Sequence, residues 1–376
     1  MKTLRIISRY LIGLTFIFSG FVKGQDPLGT SFRIEDYFIA YGMDWAIPAS
    51  LFLSVLLCAA EFGLGWALIW NALPRVTTYL VTAMMTFFTI VTLYDAIYNP
   101  VPDCGCFGDA IKLTNIETFL KNVVLMVFVG ILLYTRRLEK PSWSLPKQFL
   151  IAVIGVLLMS GTSLYAFQRL PLIDFMDWKV GKNMYPTTDI PAKYFVTYKN
   201  NSTGETKEYE SHAYPYNDSV WLSQWTFVST RIDDPSAALR HQLQLIDMSG
   251  GDVTDSYLKG SQYQLIAIVW DEETLNSKSM ERLVKMGQEL ANHNCIIAVA
   301  SPVIPEQAIA YNEKHGNLFD MLSADDIVLK TMVRANPGVI LMHQGIVVDK
   351  WNLKGLPDAE ELLKRWPGLD TSIQTE

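Results

Sequence analysis

The chain has 376 residues, half of them hydrophobic (50%), and a formal net charge of −7. That acidity argues against a nucleic-acid partner, which needs a basic surface, and bears mainly on solubility. The apolar residues crowd into the first 170 positions, so the chain divides into a membrane half and a soluble half.

Five segments are long and apolar enough to cross a bilayer as helices, which takes about 20 residues. The predicted spans are Ile6–Val22, Pro48–Leu73, Thr77–Tyr98, Phe119–Tyr134 and Phe149–Phe167. The fourth is short and spans only with Lys121 and Asn122 at the interface. No small-x-small cleavage site follows the first, so it reads as a retained span rather than a signal peptide. Cations orient the bundle. Lys2, Arg5 and Arg9 open the first span, Arg75 lies between the second and third, and Arg136, Arg137, Lys140 and Lys147 between the fourth and fifth. The alternate connections hold only Lys23 and Arg33 in one and Lys112 in the other. The N-terminus is therefore expected on the cytoplasmic side, with the connection after the third span and everything beyond Arg169 on the outside. Trp45, Trp66, Trp70, Tyr94 and Tyr98 suit an aromatic belt at the interfaces.

The connection after the third span carries Asp103-Cys104-Gly105-Cys106-Phe107-Gly108-Asp109. Glycine lets the backbone bend into the tight ring that a disulfide between Cys104 and Cys106 requires. Such a strained, exposed disulfide exchanges readily. It closes too small a loop to be a good staple. Two thiols with Asp103 and Asp109 fall short of a usual metal site, and no histidine is near, so no metal is assigned. Both acids are expected to raise the thiol pKa values.

Within the spans, Cys58 packs as a small hydrophobe. Glu61, one turn on, is costly in a bilayer and needs a partner. Arg9 and Lys23 are the candidates, with Asp95 near the outer end of the third span. These polar residues form either a clasp between helices or a proton or quinone site. There is no second cysteine pair, so a quinone acceptor would have to meet Cys104 and Cys106 directly.

Beyond Leu170, Lys193–Lys199, Thr206–Ser211 and Val220–Thr230 read as strands, the first two joined by a turn at Asn200-Asn201-Ser202-Thr203-Gly204. Then come Leu243–Asp247, a buried strand Tyr263–Trp270, a helix Glu272–Asn292, a strand Cys295–Ala300 and a helix Pro305–His315. Strands Gly338–Met342 and Ile346–Trp351 flank His343-Gln344-Gly345, and a helix Asp358–Arg365 closes the chain. His212, His241, His293, His315 and His343 show no ligand spacing.

This order, with Leu245-Ile246-Asp247-x-x-Gly250 and Val253 leading in, resembles membrane-anchored thioredoxin-like proteins and peroxiredoxins. The resemblance implies a cis peptide bond at Pro337, in Asn336-Pro337-Gly338-Val339. It also implies a groove in which Arg334, Ala335, Asn336 and Pro337 dock an extended client peptide. Where thioredoxins carry Cys-x-x-Cys, this chain reads Trp270-Asp271-Glu272-Glu273-Thr274-Leu275. The soluble part is thus expected to lack dithiol activity, with Cys295 a buried, inert thiol and the acids serving as helix caps.

In the membrane half, Arg9-Tyr10-Leu11-Ile12-Gly13, Phe16, Ser19-Gly20, Lys23, Glu61 and Gly65 resemble the DoxX superfamily. Cys104-Gly105-Cys106-Phe107-Gly108 followed by Lys121-Asn122 is closer to its methylamine-utilisation MauE branch, over residues 1–135. That branch is redox-associated and linked to disulfide formation in partner proteins. The resemblance implies that Cys104 and Cys106 are the redox pair.

The expected architecture is thus an α-helical membrane bundle over 1–135, a cytoplasmic loop and fifth span over 136–170, a β-rich segment over 171–235 and an α/β thioredoxin-like domain over 236–376. The expected function is thiol–disulfide exchange by Cys104 and Cys106 in the maturation of exported proteins. The rivals are a non-enzymatic accessory of an envelope complex, with the soluble domain as binding module, and a quinone-binding or permeation bundle centred on Glu61.

Overall fold

The computed structural model describes residues 2–101, 104–138, 143–185, 193–211, 213–233, 243–271 and 274–370. Asp103, Lys140, His212, His241, Glu272 and Glu273 lie outside the described residues. The chain forms two compact units. The first comprises 1–179 with 330–339 and 350–357, and the second comprises 180–329 with 340–349 and 358–376.

In the first unit, the helices are α1 (Lys2–Gln25), α2 (Pro27–Ala40), α3 (Ser50–Ile69), α4 (Pro74–Tyr98), α5 (Asn115–Thr135) and α6 (Leu145–Gln168). All but α2 belong to segments long and apolar enough to cross a membrane, α3 with the turn Asp44–Ala49 before it, so this is a multi-pass membrane protein. The backbones of α1 and α3 nearly touch. A Cβ on Gly65 would lie 2.6 Å from the Gly13 carbonyl oxygen, and one on Gly20 would lie 2.6 Å from the Phe62 nitrogen. Small residues allow this approach, the usual way helices associate in lipid. Ile12, Phe16, Leu68, Val81, Met85, Leu125, Val129 and Leu132 fill the core. Phe52, Phe87, Ile90, Val127 and Leu157 face outward, a surface suited to acyl chains rather than water.

Two departures from the sequence expectation have local causes. The fourth span is not short: it starts at Asn115, four residues before Phe119, because Thr114 and Glu117 form a reciprocal capping box. Its 21 residues reach about 31 Å at 1.5 Å per residue, enough to span. Within it, Asn122 is buried and donates to Thr92 Oγ1 at 3.1 Å. The connection between the first two spans is largely helical. Asp26 accepts from the Gly29 amide at 2.8 Å and Pro27 occupies the first turn, so the chain re-enters a helix at once as α2.

In the second unit, β1 (Lys193–Asn200), β2 (Thr206–Glu210) and β3 (Trp225–Asp233) form an antiparallel sheet in the order β2-β1-β3. The expected strand at Val220 is instead a short helix, α7 (Ser219–Gln224), because the Asp218 carboxylate caps the Val220 and Trp221 amides.

After α8 (Thr254–Lys259), the remaining elements are β4 (Tyr263–Ile268), α9 (Ser277–Leu290), β5 (Cys295–Ser301), α10 (Glu306–Lys314), β6 (Asp320–Ser323), α11 (Asp326–Met332), β7 (Gly338–His343), β8 (Ile346–Asn352) and α12 (Ala359–Arg365). The sheet order is β6-β5-β4-β7-β8, with β4, β5 and β6 parallel. A parallel core, a two-residue turn through Gln344 and Gly345 (both with positive φ) and a closing helix make this α/β sheet thioredoxin-like. The edge strand β6, with α11 after it, is an element the sequence pattern did not separate. Helix α9 starts at Ser277, five residues later than expected, because Asn276 rather than the acids supplies its cap. The Asn336–Pro337 bond is cis.

Candidate functional site

Cys104 and Cys106 lie between α4 and α5. Gly105 has φ +62°, and a Cβ there would approach Arg33 Cγ to 3.2 Å, so only glycine takes the bend easily. The Gly108 amide donates to the Gly105 carbonyl at 2.9 Å, closing the turn. Ser19 Oγ of α1 donates to the Cys106 carbonyl at 2.7 Å. Phe107 packs on Phe18, their centroids 5.4 Å apart, and under Lys121 Nζ at 4.3 Å.

Both cysteines are half-buried rather than exposed, and their Sγ atoms approach to 3.0 Å as free thiols. The two behave oppositely. The Cys104 thiol is pushed up because it donates to Cys106, and burial adds to this. The Cys106 thiol is pulled down because it accepts that hydrogen bond. The ammonium groups of Lys121 and Lys23 assist, against the cost of burial. The expectation that neighbouring acids raise both thiols is therefore wrong for Cys106. Asp109 faces Arg334, and burial holds its own carboxyl above the usual carboxylate range.

The intramembrane polar candidates sort into two separate arrangements. Lys23 Nζ lies 2.5 Å from Glu61 Oε1, both buried, so Lys23 rather than Arg9 is the partner of Glu61. The Arg9 guanidinium lies over the Tyr10 ring at 5.2 Å. Cys58 is completely buried, as expected of a packing cysteine. Asp95 is also fully buried and accepts from the Tyr37 hydroxyl of α2 at 2.7 Å. The same hydroxyl hydrogen-bonds with Cys104. Tyr37 was not among the sequence candidates. The one available signal was the helix-opening Asp26-Pro27, which puts the following aromatics on a helix rather than a loop.

The residues expected to dock a peptide are placed differently from that expectation. Within the first unit, Arg334 is buried, with Nε 2.7 Å from Asp26 Oδ2 and Nη2 3.5 Å from Asp109 Oδ2. Its remaining nitrogen Nη1 donates to the Lys330 carbonyl. Ala335 is buried as well, and the Pro337 carbonyl accepts from the Leu353 amide at 3.0 Å. Two of the four proposed docking residues are thus committed to the chain's own packing, and only Asn336 and Pro337 keep partial exposure. Cys295 opens β5 half-buried, and burial pushes its thiol up to about 12, consistent with inertness.

The residues around the thiol pair, α1 through α5, fall within a domain of defined family: residues 1–135 match the family of methylamine utilisation protein MauE. No curated protein matches the chain. Among solved structures, a thiol:disulfide interchange protein from Bacteroides sp. aligns at 17% identity, over 35% of this chain and 89% of that one, with a TM-score of 0.27. The thioredoxin domain of a thiol-disulfide oxidoreductase from Bacteroides vulgatus aligns at 16% identity over 34% and 92%, TM-score 0.26. A thioredoxin-like protein from Bacteroides caccae aligns at 12% identity over 86% and 82%, TM-score 0.20. With scores this low, the strand order, rather than these likenesses, defines the thioredoxin-like arrangement.

Proposed function

We propose that this protein is a thiol–disulfide exchanger of the bacterial cytoplasmic membrane, with Cys104 and Cys106 as its working pair on the periplasmic face. The single observation that carries the reading is the division of labour between two thiols 3.0 Å apart: Cys106 tends to thiolate while Cys104 keeps its proton. Exchange needs one thiolate to attack and a second thiol to resolve. In the reducing direction, the Cys106 thiolate attacks a client disulfide, forming a mixed disulfide and expelling one client thiolate. Cys104 then attacks Cys106 Sγ, the intramolecular disulfide forms, and the second client thiolate leaves. Two electrons have passed from the pair to the client. Run backwards, the same steps oxidise a client dithiol, which is the direction needed for disulfide formation in exported proteins.

The cation asymmetry of the connections supports the periplasmic placement. The wider DoxX superfamily placement of residues 1–135 belongs to the same proposal. The chain's other cysteines are Cys58 and Cys295, so a quinone taking the electrons would have to meet Cys104 and Cys106 directly. The thioredoxin-like domain, with no cysteine at its usual helix turn, supplies binding rather than redox chemistry.

Acid-trapping of thiols in cells, followed by mass-tagging, tests the reading. A mixed redox population in the wild type, with a covalent client adduct accumulating in Cys104→Ser, is the expected result. A pair that is fully oxidised or fully reduced, with no adduct in Cys104→Ser or Cys106→Ser, would leave an anchored accessory of an envelope complex instead.

A further inference from the structure

Among the described residues, the bundle holds two fully or nearly fully buried carboxylates, and they are treated differently. Glu61 is neutralised by Lys23 at 2.5 Å. Asp95 has no ion pair among the described residues. Its Oδ2 accepts from Tyr37 at 2.7 Å, while its Oδ1 has no hydrogen-bond partner among them. An unneutralised carboxylate with an unsatisfied oxygen, completely removed from solvent, is costly and calls for a reason other than packing. The reason lies one bond further on. The Tyr37 hydroxyl carries a single hydrogen, and it is given to Asp95. In the reduced pair the Cys104 S–H is given to Cys106, but once Cys106 Sγ is tied up in a mixed disulfide that hydrogen is released to turn toward Tyr37, whose oxygen can accept it because the Tyr37 O–H is given to Asp95.

We propose that Tyr37 and Asp95 are the proton port of the Cys104–Cys106 pair, with Tyr37 the catalytic residue at the Cys104 sulfur and Asp95 the buried acceptor behind it. The assignment rests on the exchange chemistry given above and specifies how its resolving step works. When a mixed disulfide joins Cys106 to a partner, Cys104 must lose a proton before it can attack. That proton passes to the Tyr37 oxygen as the Tyr37 proton passes to Asp95 Oδ2. The Cys104 thiolate then attacks Cys106 Sγ, the Cys104–Cys106 bond forms, and the partner leaves as a thiolate with both electrons. The proton on Asp95 balances the one lost from Cys104. In the reverse direction, Asp95 returns it to the departing Cys104 thiolate. Burial keeps the Tyr37 hydroxyl well above its usual pKa, as suits a relay that passes a proton without ionising.

The titratable groups around this path come from five helices and the loop. Tyr37 and Tyr41 face Asp95 from α2, and Tyr94 is its neighbour on α4. Lys23 of α1 acts on both thiols, Lys121 of α5 and Glu61 of α3 act on Cys106, and the two thiols act on each other. Both lysines favour the Cys106 thiolate, which leaves Cys104 as the sulfur whose proton needs a route.

The test uses the full-length protein in lipid nanodiscs, reduced and then mixed with oxidised glutathione. Formation of the glutathione adduct at Cys106 reports attack, and release of that glutathione reports resolution by Cys104. Expected in Tyr37→Phe and Asp95→Asn is adduct formation near the wild-type rate, with resolution slowed about a hundredfold at neutral pH, the low end of general acid–base contributions. The defect should shrink as pH rises, because Cys104 then ionises without help, and Asp95→Glu should restore much of the rate. A merely structural role would slow both steps without that pH dependence, and this outcome would overturn the proposal. Resolution equal to wild type in both variants at every pH would overturn it as well, while leaving the exchange reading intact. A wild type that forms no adduct at all would remove the exchange reading and the port together.

Discussion

Lys23 and Glu61 meet at 2.5 Å in the buried interior of the bundle, one reaching from the end of α1 and the other from the middle of α3. Breaking such a pair costs more than replacing it, because the remaining charge is left buried and unpaired. Lys23→Met and Glu61→Leu alone are each expected to destabilise the protein by about 3 kcal/mol, and the double variant to recover most of that. Thermal unfolding in detergent reads the cycle. Additive losses in the double variant would show that the pair is not coupled.

The same lysine has a second effect, on Cys106, which it shares with Lys121 and, above both, with the Cys104 hydrogen bond. In the wild type, Cys106 should be alkylated by iodoacetamide at lower pH than Cys104. Removing a group that stabilises the thiolate must raise the pKa. Cys104→Ala should therefore move the Cys106 alkylation profile to higher pH, and Lys121→Met should do so by a smaller amount. Coincident profiles for the two cysteines in the wild type would refute the division of labour.

What could be read from the sequence, and what could not, follows the range of each interaction. The spans and the Cys104–Cys106 bend were legible because hydropathy and a glycine between thiols are local. The cis bond at Pro337 was legible only through the resemblance to thioredoxin-like proteins. Helix α2 has no counterpart in the sequence pattern although Asp26-Pro27 marks its start, because its 14 residues, Arg33, Glu35 and Asp36 among them, are too few and too polar to register as a span. Tyr37 was lost with it. The strand expected across Val220–Thr230 is present only from Trp225 onward, in β3, since the Asp218 carboxylate caps Val220 and Trp221 and holds the residues before it in α7. Arg334 illustrates the other limit. Its partner Asp26 is 308 positions away, so no local pattern could show that the expected docking edge is occupied.

Asp26 serves twice, as cap of α2 and as the closer of the two acids on Arg334. The two roles separate by substitution. Asp26→Asn keeps the cap and removes the charge, whereas Asp26→Ala removes both, so the alanine variant should lose about 1 kcal/mol more. Asp109→Asn should be the mildest of the three. Its contact with Arg334 is the longer one, at 3.5 Å, and burial already holds its carboxyl above the usual range. A folded-state pKa raised in this way favours the folded protein at low pH and loses that contribution as pH rises through it. The wild type should therefore gain stability relative to Asp109→Asn on acidification from neutral pH. Equal stability of all three variants would remove the ion pairs from consideration.

Gly105 tests whether the bend itself matters to the chemistry. At φ +62°, any other residue pays about 1 kcal/mol for the left-handed conformation. Its Cβ must also displace Arg33, whose Cγ would lie 3.2 Å away. The strain falls on the two peptide units that bring the sulfurs together, not on the packing of the helices. Gly105→Ala should thus leave the thermal midpoint within a few degrees of wild type, as expected for about 1 kcal/mol in a chain of this size. Closure of the Cys104–Cys106 disulfide, followed by mass-tagging after oxidised glutathione is added, should be slowed well beyond what that small loss implies. Wild-type closure in this variant would mean that the bend is not what sets the distance between the thiols.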